Sequence, residues 1–424
     1  MIFLVSQATG SVFSTEDVQK LRQNFFANIH TNGAIVAAPS KQNPDYYYDW
    51  IRDSAIAMGL IESWYEHSHA FTYKERLLTY VSWTRKLQHQ YDSIPGQDIL
   101  GEPKFYIDGY PFEGPWGRPQ NDGPALRASV LIRFAQLLLD ENEVEYVRSN
   151  LYDKNLDPDS MGVIKMDLEY TAHHWSDKNY DLWEEVLGHH FFTAMVQQKA
   201  LQEGAALARR LNDNEAAIYY EQQAKLIKTR LNQHLDSAHK TIQATLLPHP
   251  GPRKTLELDS SIILGVLLNL QADGDFSPSS FYVKNTVQAL YEQFNSMFPI
   301  NKNHVGEILF GRYPGDTYDG HQTNSIGNPW FILTATMAEY YYTLADNLPW
   351  AKHTEIAKHI QSGDNYLKLI KKYAPNMKLS EQINLNTGIQ QGAPSLTWSY
   401  VAVLRAIELR EKLTSKFQQL EVAA

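Results

Sequence analysis

Six motifs rich in aromatic residues, acids or Gly-Pro recur along the chain at nearly equal intervals, each just before an apolar-periodic stretch. They are YYYDWIRDS, WGRPQNDGPALR, YDLWEEVLG, LELDSS, SIGNPWF and GAPSLTWSY, and the stretches they introduce begin near residues 53, 122, 186, 258, 328 and 396. The intervals are 69, 64, 72, 70 and 68 residues. Each interval also holds a plainer amphipathic stretch. In one of these Ala217, Tyr220, Ala224, Ile227, Leu231 and Leu235 recur at three- and four-residue steps and form one apolar face. The full pattern predicts helices near 15–30, 52–66, 70–92, 122–139, 142–152, 187–211, 214–236, 258–270, 279–297, 329–346, 352–373 and 396–413. Strand-like alternation is scarce and no Pro/Ser/Gly linker divides the chain, so one all-α domain spanning 1–424 is expected. Two helices per period of roughly 70 residues predict helical hairpins packed side by side. Six hairpins can close into a ring with one helix of each pair inside, although an open solenoid has the same spacing. In a ring, the motif-led helices start at one end and their loops meet at one mouth.

Composition narrows the function classes. The 424 residues carry a formal net charge of −10, which argues against a nucleic-acid footprint of clustered Lys and Arg. No cysteine is present, which excludes disulfides, thiol catalysis and thiolate metal sites and fits an exported enzyme. The start, MIFLVSQATG, has only a short apolar run and no basic n-region, so no complete signal peptide is expected. No stretch approaches the roughly 20 apolar residues of a membrane span. His173-His174, His189-His190 and His67-Ser68-His69 lack the spacing of a zinc helix and are expected at the surface or at helix ends. The acidic QADGDFSP (271–278) lacks a calcium-loop pattern and is expected to be a turn. With no nucleophile elbow, P-loop or dinucleotide fingerprint, no cofactor and no metal are expected.

The motifs themselves point to sugars. Sugar sites combine aromatic faces, which stack on the apolar side of a pyranose, with carboxylates and Arg that bond its hydroxyls. Here Trp50 stands with Arg52 and Asp53, Trp116 with Arg118 and Asp122, Trp183 with Glu184, and Arg312 with Tyr313 and Asp316. Any one tryptophan is more often core than site; several such clusters in register reverse that weighting. Glycoside hydrolysis needs two carboxyl groups flanking one bond. Glu184 and Glu185 are adjacent, and adjacent side chains diverge on a helix or strand, so they cannot be that pair. Glu184 suits an acid because a neighbouring aromatic can desolvate it. The plainer alternative, acids favouring a helix N-terminus, leaves Trp183 and the sister motifs unexplained.

The chain resembles the glucoamylases, exo-acting glycoside hydrolases built as an (α/α)6 barrel. The resemblance runs collinearly from about residue 43 to 405, through NPDYYYDWIRD (43–53), LGEPKF (100–105), WGRPQNDGPALRA (116–128), DLWEEV (181–186), GRYPGDTY (311–318), GNPWF (327–331), LSEQ (379–382) and LTWSY (396–400). It implies that Glu184 is the general acid and Glu381 the general base that activates water. It also implies that Asp181 and Glu185 bind substrate or tune the acid, and that Arg52, Asp53 and Arg312 hold sugar hydroxyls. Tyr46 and Gln382 would position the water and base. Trp50, Trp116, Trp183, Trp330 and Trp398 would shape the pocket, with Arg118 beside Trp116. Glu381 lies far from Glu184 in sequence, so folding can set it across a pocket.

The activity implied is removal of glucose from non-reducing ends of α-1,4-linked glucans with inversion, and more slowly from α-1,6 links, by a monomer without a starch-binding module. The alternatives are a related toroid acting on isomalto-type, dextran-type or other α-glucosides, and a non-catalytic sugar-binding toroid; an opposed carboxyl pair argues against the last. Departures from the family pattern are Asp49, Asn179, the longer DGHQTNSI segment and Pro394-Ser395. They are expected to touch chain-length or linkage preference more than chemistry.

Overall fold

Helices that follow a motif are buried on nearly every side, whereas those between motifs bury one face. A computed structural model describes residues 11–92, 94–155, 162–246, 257–270 and 273–423. Among the described residues, twelve helices of eight residues or more build the architecture. They are α1 (Thr15–Phe26), α2 (Ile51–Ser68), α3 (Phe71–Gln88), α4 (Asp122–Asp140), α5 (Val163–His174), α6 (Phe191–Arg210), α7 (Asn214–Leu231), α8 (Ser261–Leu268), α9 (Phe281–Met297), α10 (Phe331–Asp346), α11 (His353–Tyr373) and α12 (Thr397–Ala423). The even-numbered helices are the motif-led ones. In α4, buried residues run unbroken from Asp122 to Ile132, the signature of a helix enclosed all round. In α7 only Ala216, Ala217, Tyr220, Ala224, Ile227 and Leu231 are buried, the single face the periodicity predicts.

The even helices form a closed inner ring. Helix α2 packs on α4, α4 on α6, α6 on α8, α8 on α10, α10 on α12, and α12 back on α2. Closure excludes the open solenoid, and the fold is an (α/α)6 barrel. Outside it, α3, α5, α7 and α11 pack against the inner helices they follow. Helix α9 sets Val283, Thr286 and Leu290 inward and contacts the Thr241–Ile242 strand. The last inner helix takes its outer partner from the start of the chain, since α1 packs on α12. Main-chain and side-chain bonds secure that seam. Asn28 Nδ2 donates to Ser395 O at 2.8 Å and to Thr397 Oγ1 at 2.9 Å, and Thr397 N donates to Ala37 O at 2.8 Å. Pro394-Ser395 therefore anchors the junction through a main-chain carbonyl. No described helix is long and apolar enough to cross a membrane.

The second hairpin departs from expectation. Residues 142–152 form only the one-turn helix Val144–Tyr146 running into a π-helical turn, Val147–Leu151. The outer partner of α4 is α5, a stretch not expected to be helical. Its periodicity is masked because charged residues face inward. Asp167 accepts two bonds from Arg127 at 2.7 Å, and Lys165 donates to Asp213 at 2.6 Å. A hydropathy pattern assigns Lys165 and Asp167 to solvent, but tertiary pairing makes their burial tolerable. Helix α6 begins at Phe191, not near 187, because Leu187–His190 pairs as a strand with Asn179–Tyr180 and Thr245–Leu246. His190 in that strand is buried and bonded to Asn179 O at 2.8 Å; it takes the N-cap position of α6, so it lies at a helix end but away from the surface. Of the expected turn 271–278, Gln271 and Ala272 lie outside the described residues, and Gly274–Phe276 forms a 3-10 turn.

Asn28→Ala removes one buried and one partly buried bond at the seam and takes the side-chain donor from the Ser395 carbonyl. It should lower stability by about 1–3 kcal/mol in urea unfolding. A loss below about 0.5 kcal/mol would mean that helix packing alone joins the chain ends.

Candidate active site

The site is organised by the five residues Tyr46 to Trp50, which run into α2. Asp49 is the anchor. Its Oδ2 accepts from Ile35 N at 3.0 Å and from Trp83 Nε1 at 2.7 Å, and burial pushes its pKa up to about 6. Either side of that anchor, two rings face the pocket with centroids 5.5 Å apart. Tyr46 OH donates to Glu381 Oε1 at 2.9 Å, and Trp50 Nε1 donates to Glu184 Oε1 at 2.7 Å. Neighbouring rings of one short segment thus hold two carboxyl groups that are almost 200 residues apart in the chain.

The DLWEEV motif is a turn, not a helix start. Glu184 N donates to Asp181 O at 2.8 Å, and Glu184 takes φ 66°, a left-handed conformation costly for a residue with a side chain. Asp181 stabilises the turn, its Oδ1 accepting from Glu185 N at 2.8 Å and Val186 N at 2.9 Å. The adjacent glutamates point to different partners. Glu184 Oε1 also accepts from Gln120 Nε2 at 3.0 Å and lies 3.7 Å from Arg52 Nη2. Glu185 accepts from Arg312 Nη2 at 2.8 Å and from Tyr313 OH at 2.6 Å, and burial raises its pKa against the pull of Arg312. Arg312 in turn forks onto Asp316 at 2.8 and 2.5 Å.

Glu381 is fully buried. Beyond Tyr46, its Oε2 accepts from Tyr318 OH at 3.4 Å and Ala393 N at 3.3 Å. Burial pushes its pKa up to about 7, opposed chiefly by the Tyr46 hydrogen bond. Gly392 makes room for it: φ is +75°, and a Cβ there would sit 2.3 Å from Glu381 Oε2. Across the site Arg52 bonds Asp122 at 2.8 Å and Gln120 at 2.9 Å. Asp53 beside it is pushed up to about 7 by burial, with Arg52 pulling the other way.

These groups converge on one cavity of about 390 Å³, within the range of small-molecule sites. Tyr46, Trp50, Arg52, Asp53, Trp116 and Trp183 line it, and so do Glu184, Glu185, Arg312 and Glu381. Trp330 and Trp398 join them in the wall. Three expected substrate-binding residues are not among the lining. Asp181 is spent on its turn. Arg118 bonds Glu102 at 2.7 and 3.0 Å and the carbonyls of Phe112 and Gly114. Gln382 is buried and accepts from Asn328 Nδ2 at 2.9 Å. All three share motifs with lining residues, and sequence does not say which way each points.

Other residues enter that the motif reading did not single out. Tyr318 bonds both Glu381 and Tyr46, the latter at 3.0 Å. Asp259, from the LELDSS motif, accepts the Trp183 indole N–H at 3.0 Å on both oxygens. His321 and Thr323 bring the 319–326 segment into the cavity wall, His321 Nδ1 lying 3.1 Å from Asn43 O. Asp259 was legible as a motif acid; His321 and Thr323 lie in the longer DGHQTNSI segment, whose length is a signal although its individual residues are not.

The arrangement agrees with comparisons to known proteins. The family model for glycosyl hydrolases family 15 matches residues 21–408. The chain belongs to glycosyl hydrolases family 15. It is 34% identical to a probable glucoamylase of Schizosaccharomyces pombe, over 90% of this chain and 85% of that protein. It is 33% identical to a glucoamylase of Blastobotrys adeninivorans, over 92% of this chain and 70% of that one. Among solved structures, a Saccharomycopsis fibuligera glucoamylase superposes with a TM-score of 0.84 at 29% identity, covering 94% of each chain.

In this family 15 hydrolase, Tyr46 favours the ionised form of Glu381 by donating to it. Tyr46→Phe removes that donor, so the Glu381 pKa should rise and the acidic limb of kcat/KM should move to higher pH. A charge-assisted bond predicts a displacement of about one unit. An acidic limb that stays in place would detach it from the Tyr46–Glu381 contact.

Proposed function

We propose that this chain releases single glucose units from the non-reducing ends of α-1,4-linked glucans such as starch, glycogen and malto-oligosaccharides. Cleavage of α-1,6 links is slower, and the anomeric centre inverts to give β-glucose. The observation that carries this is the pair Glu184 and Glu381, lining one cavity yet held by separate rings. Inversion needs a gap of roughly 6.5–9.5 Å between the carboxyls so that water can sit between base and sugar. Glu184 is the general acid; with Oε1 occupied by Trp50 and Gln120, Oε2 carries the proton to the glycosidic oxygen. Glu381 is the general base. Its raised pKa strengthens it as a proton acceptor, and it works in the ionised form.

Asp53 and Arg52 hold hydroxyls of the terminal glucose, while Arg312 and Glu185 bind from the other side. Trp116, Trp183, Trp330 and Trp398 line the cavity and offer aromatic surface of the kind that suits apolar sugar faces. A cavity ringed by loops from the inner-helix starts accepts a chain end in preference to a mid-chain segment, which supports exo action.

NMR of fresh product from maltotriose tests the reaction: β-glucose should appear first. Initial α-glucose would overturn inversion, faster cleavage of isomaltotriose would change the substrate class, and no glucose from either would favour a sugar-binding toroid. Glu184→Gln and Glu381→Gln should each lower kcat by about 10²–10⁴-fold. Glu185→Gln should act mainly on KM; a kcat effect alone would remove its substrate-holding role.

A further inference from the structure

The hairpin from Lys104 to Trp116 carries the aromatic wall of the pocket onto the outer surface. Lys104 is buried beneath it. Its Nζ lies 3.3 Å from the Trp116 ring centroid, 3.9 Å from Phe112, 4.6 Å from Tyr48 and 4.7 Å from Trp50. A cation within about 6 Å of an aromatic face is attracted to it. One ammonium shared by four rings therefore fixes their arrangement. From Trp50 in the cavity the ring centroids step 6.1 Å to Trp116, 5.9 Å to Phe112 and 6.0 Å to Tyr106. The Tyr106 ring also rests 5.3 Å from Tyr48.

The row of ring contacts ends at Tyr106, and Tyr110 sits across a tight turn from it, in which Tyr106 N donates to Tyr110 O and Gly109 N to Tyr106 O, both at 2.8 Å. Trp116, Tyr106 and Tyr110 are 37%, 41% and 63% exposed. Large rings left open in sequence beside a pocket mark a binding surface more often than chance exposure. Asp108 and Glu113 flank them at the surface and disfavour an anionic occupant.

We propose that Tyr106 and Tyr110, reached from the pocket through Trp116 and Phe112, form a track for an α-glucan chain. It binds the glucose units that follow those inside the cavity, an assignment that rests on the function proposed above. The chemistry fits a neutral polyhydroxyl chain: each tyrosine offers a face for the apolar side of a pyranose and a hydroxyl for its rim. Continuity with the cavity makes the occupant the same chain whose end is being hydrolysed.

The test is the ratio of kcat/KM on maltoheptaose or glycogen to that on maltose, in Tyr106→Ser/Tyr110→Ser. Loss of two stacking platforms should lower the ratio about threefold to tenfold. An unchanged ratio in a variant with unchanged thermal unfolding overturns the track. Tyr110→Ser alone serves if the double variant folds poorly, with the same sign expected. Affinity electrophoresis in glycogen gels gives a readout free of turnover. Glu184→Gln should be retarded, and adding the two tyrosine substitutions should reduce its retardation; equal retardation overturns the track. A wild-type protein held by glycogen through these tyrosines but releasing no glucose from maltose would sink the hydrolytic function and leave the track standing.

Discussion

Burying ionisable groups where little water can solvate them is the constraint on which this structure depends. Asp49, Arg52, Asp53, Asp122, Arg312 and Glu381 are all buried at the end of the ring where the inner helices begin. An isolated charge there would cost several kcal/mol, so each must find a partner of suitable type and direction. The partners are mostly not neighbours in sequence. Trp83 reaches Asp49 from the first outer helix, Asp122 meets Arg52 from the next inner helix, and Tyr46 reaches Glu381 from the far end of the chain. Satisfying the buried charges therefore fixes how successive hairpins sit against one another. The same pairing that makes burial tolerable orients the groups that face the cavity.

Ring closure gives the pocket its form. Each inner helix is preceded by a loop at the same end, and closure brings the loops of the first and last hairpins side by side. Asn28, Val36 and Ala37 bind the start of α12, so the segment that carries Tyr46 and Trp50 is held against the one that carries Trp398. An open array of the same hairpins would leave Glu381 with no Tyr46 to bind. The carboxyl pair is thus a product of closure, and the adjacent glutamates of DLWEEV serve different ends because their turn sends them to Trp50 and to Arg312.

Much of this was legible in the chain. The period of the motifs predicted paired helices and one shared mouth, since a helix that must be buried all round carries apolar residues throughout. Residue type also identified Trp50, Arg52, Asp53, Glu184 and Arg312 as lining residues. Buried polar residues are where local sequence is least informative. Helix α5 carries no legible period because Lys165 and Asp167 point inward, and motif membership does not show that Arg118, Asp181 and Gln382 bond other groups of the protein. Hydropathy and motif membership say that a polar residue matters without saying what it faces.

The sequence by itself determined the helical class, the sixfold period, the end of the ring at which the chemistry gathers and the residue types gathered there, because periodicity and composition are local properties. Only the tertiary structure decided that the ring closes and that Glu381 stands in the same cavity as Glu184. It alone decided that His321 and Thr323 complete the wall and that an aromatic row leaves it past Lys104. These depend on which side chains meet across long sequence separations, and direction in space is not written in any short stretch of chain.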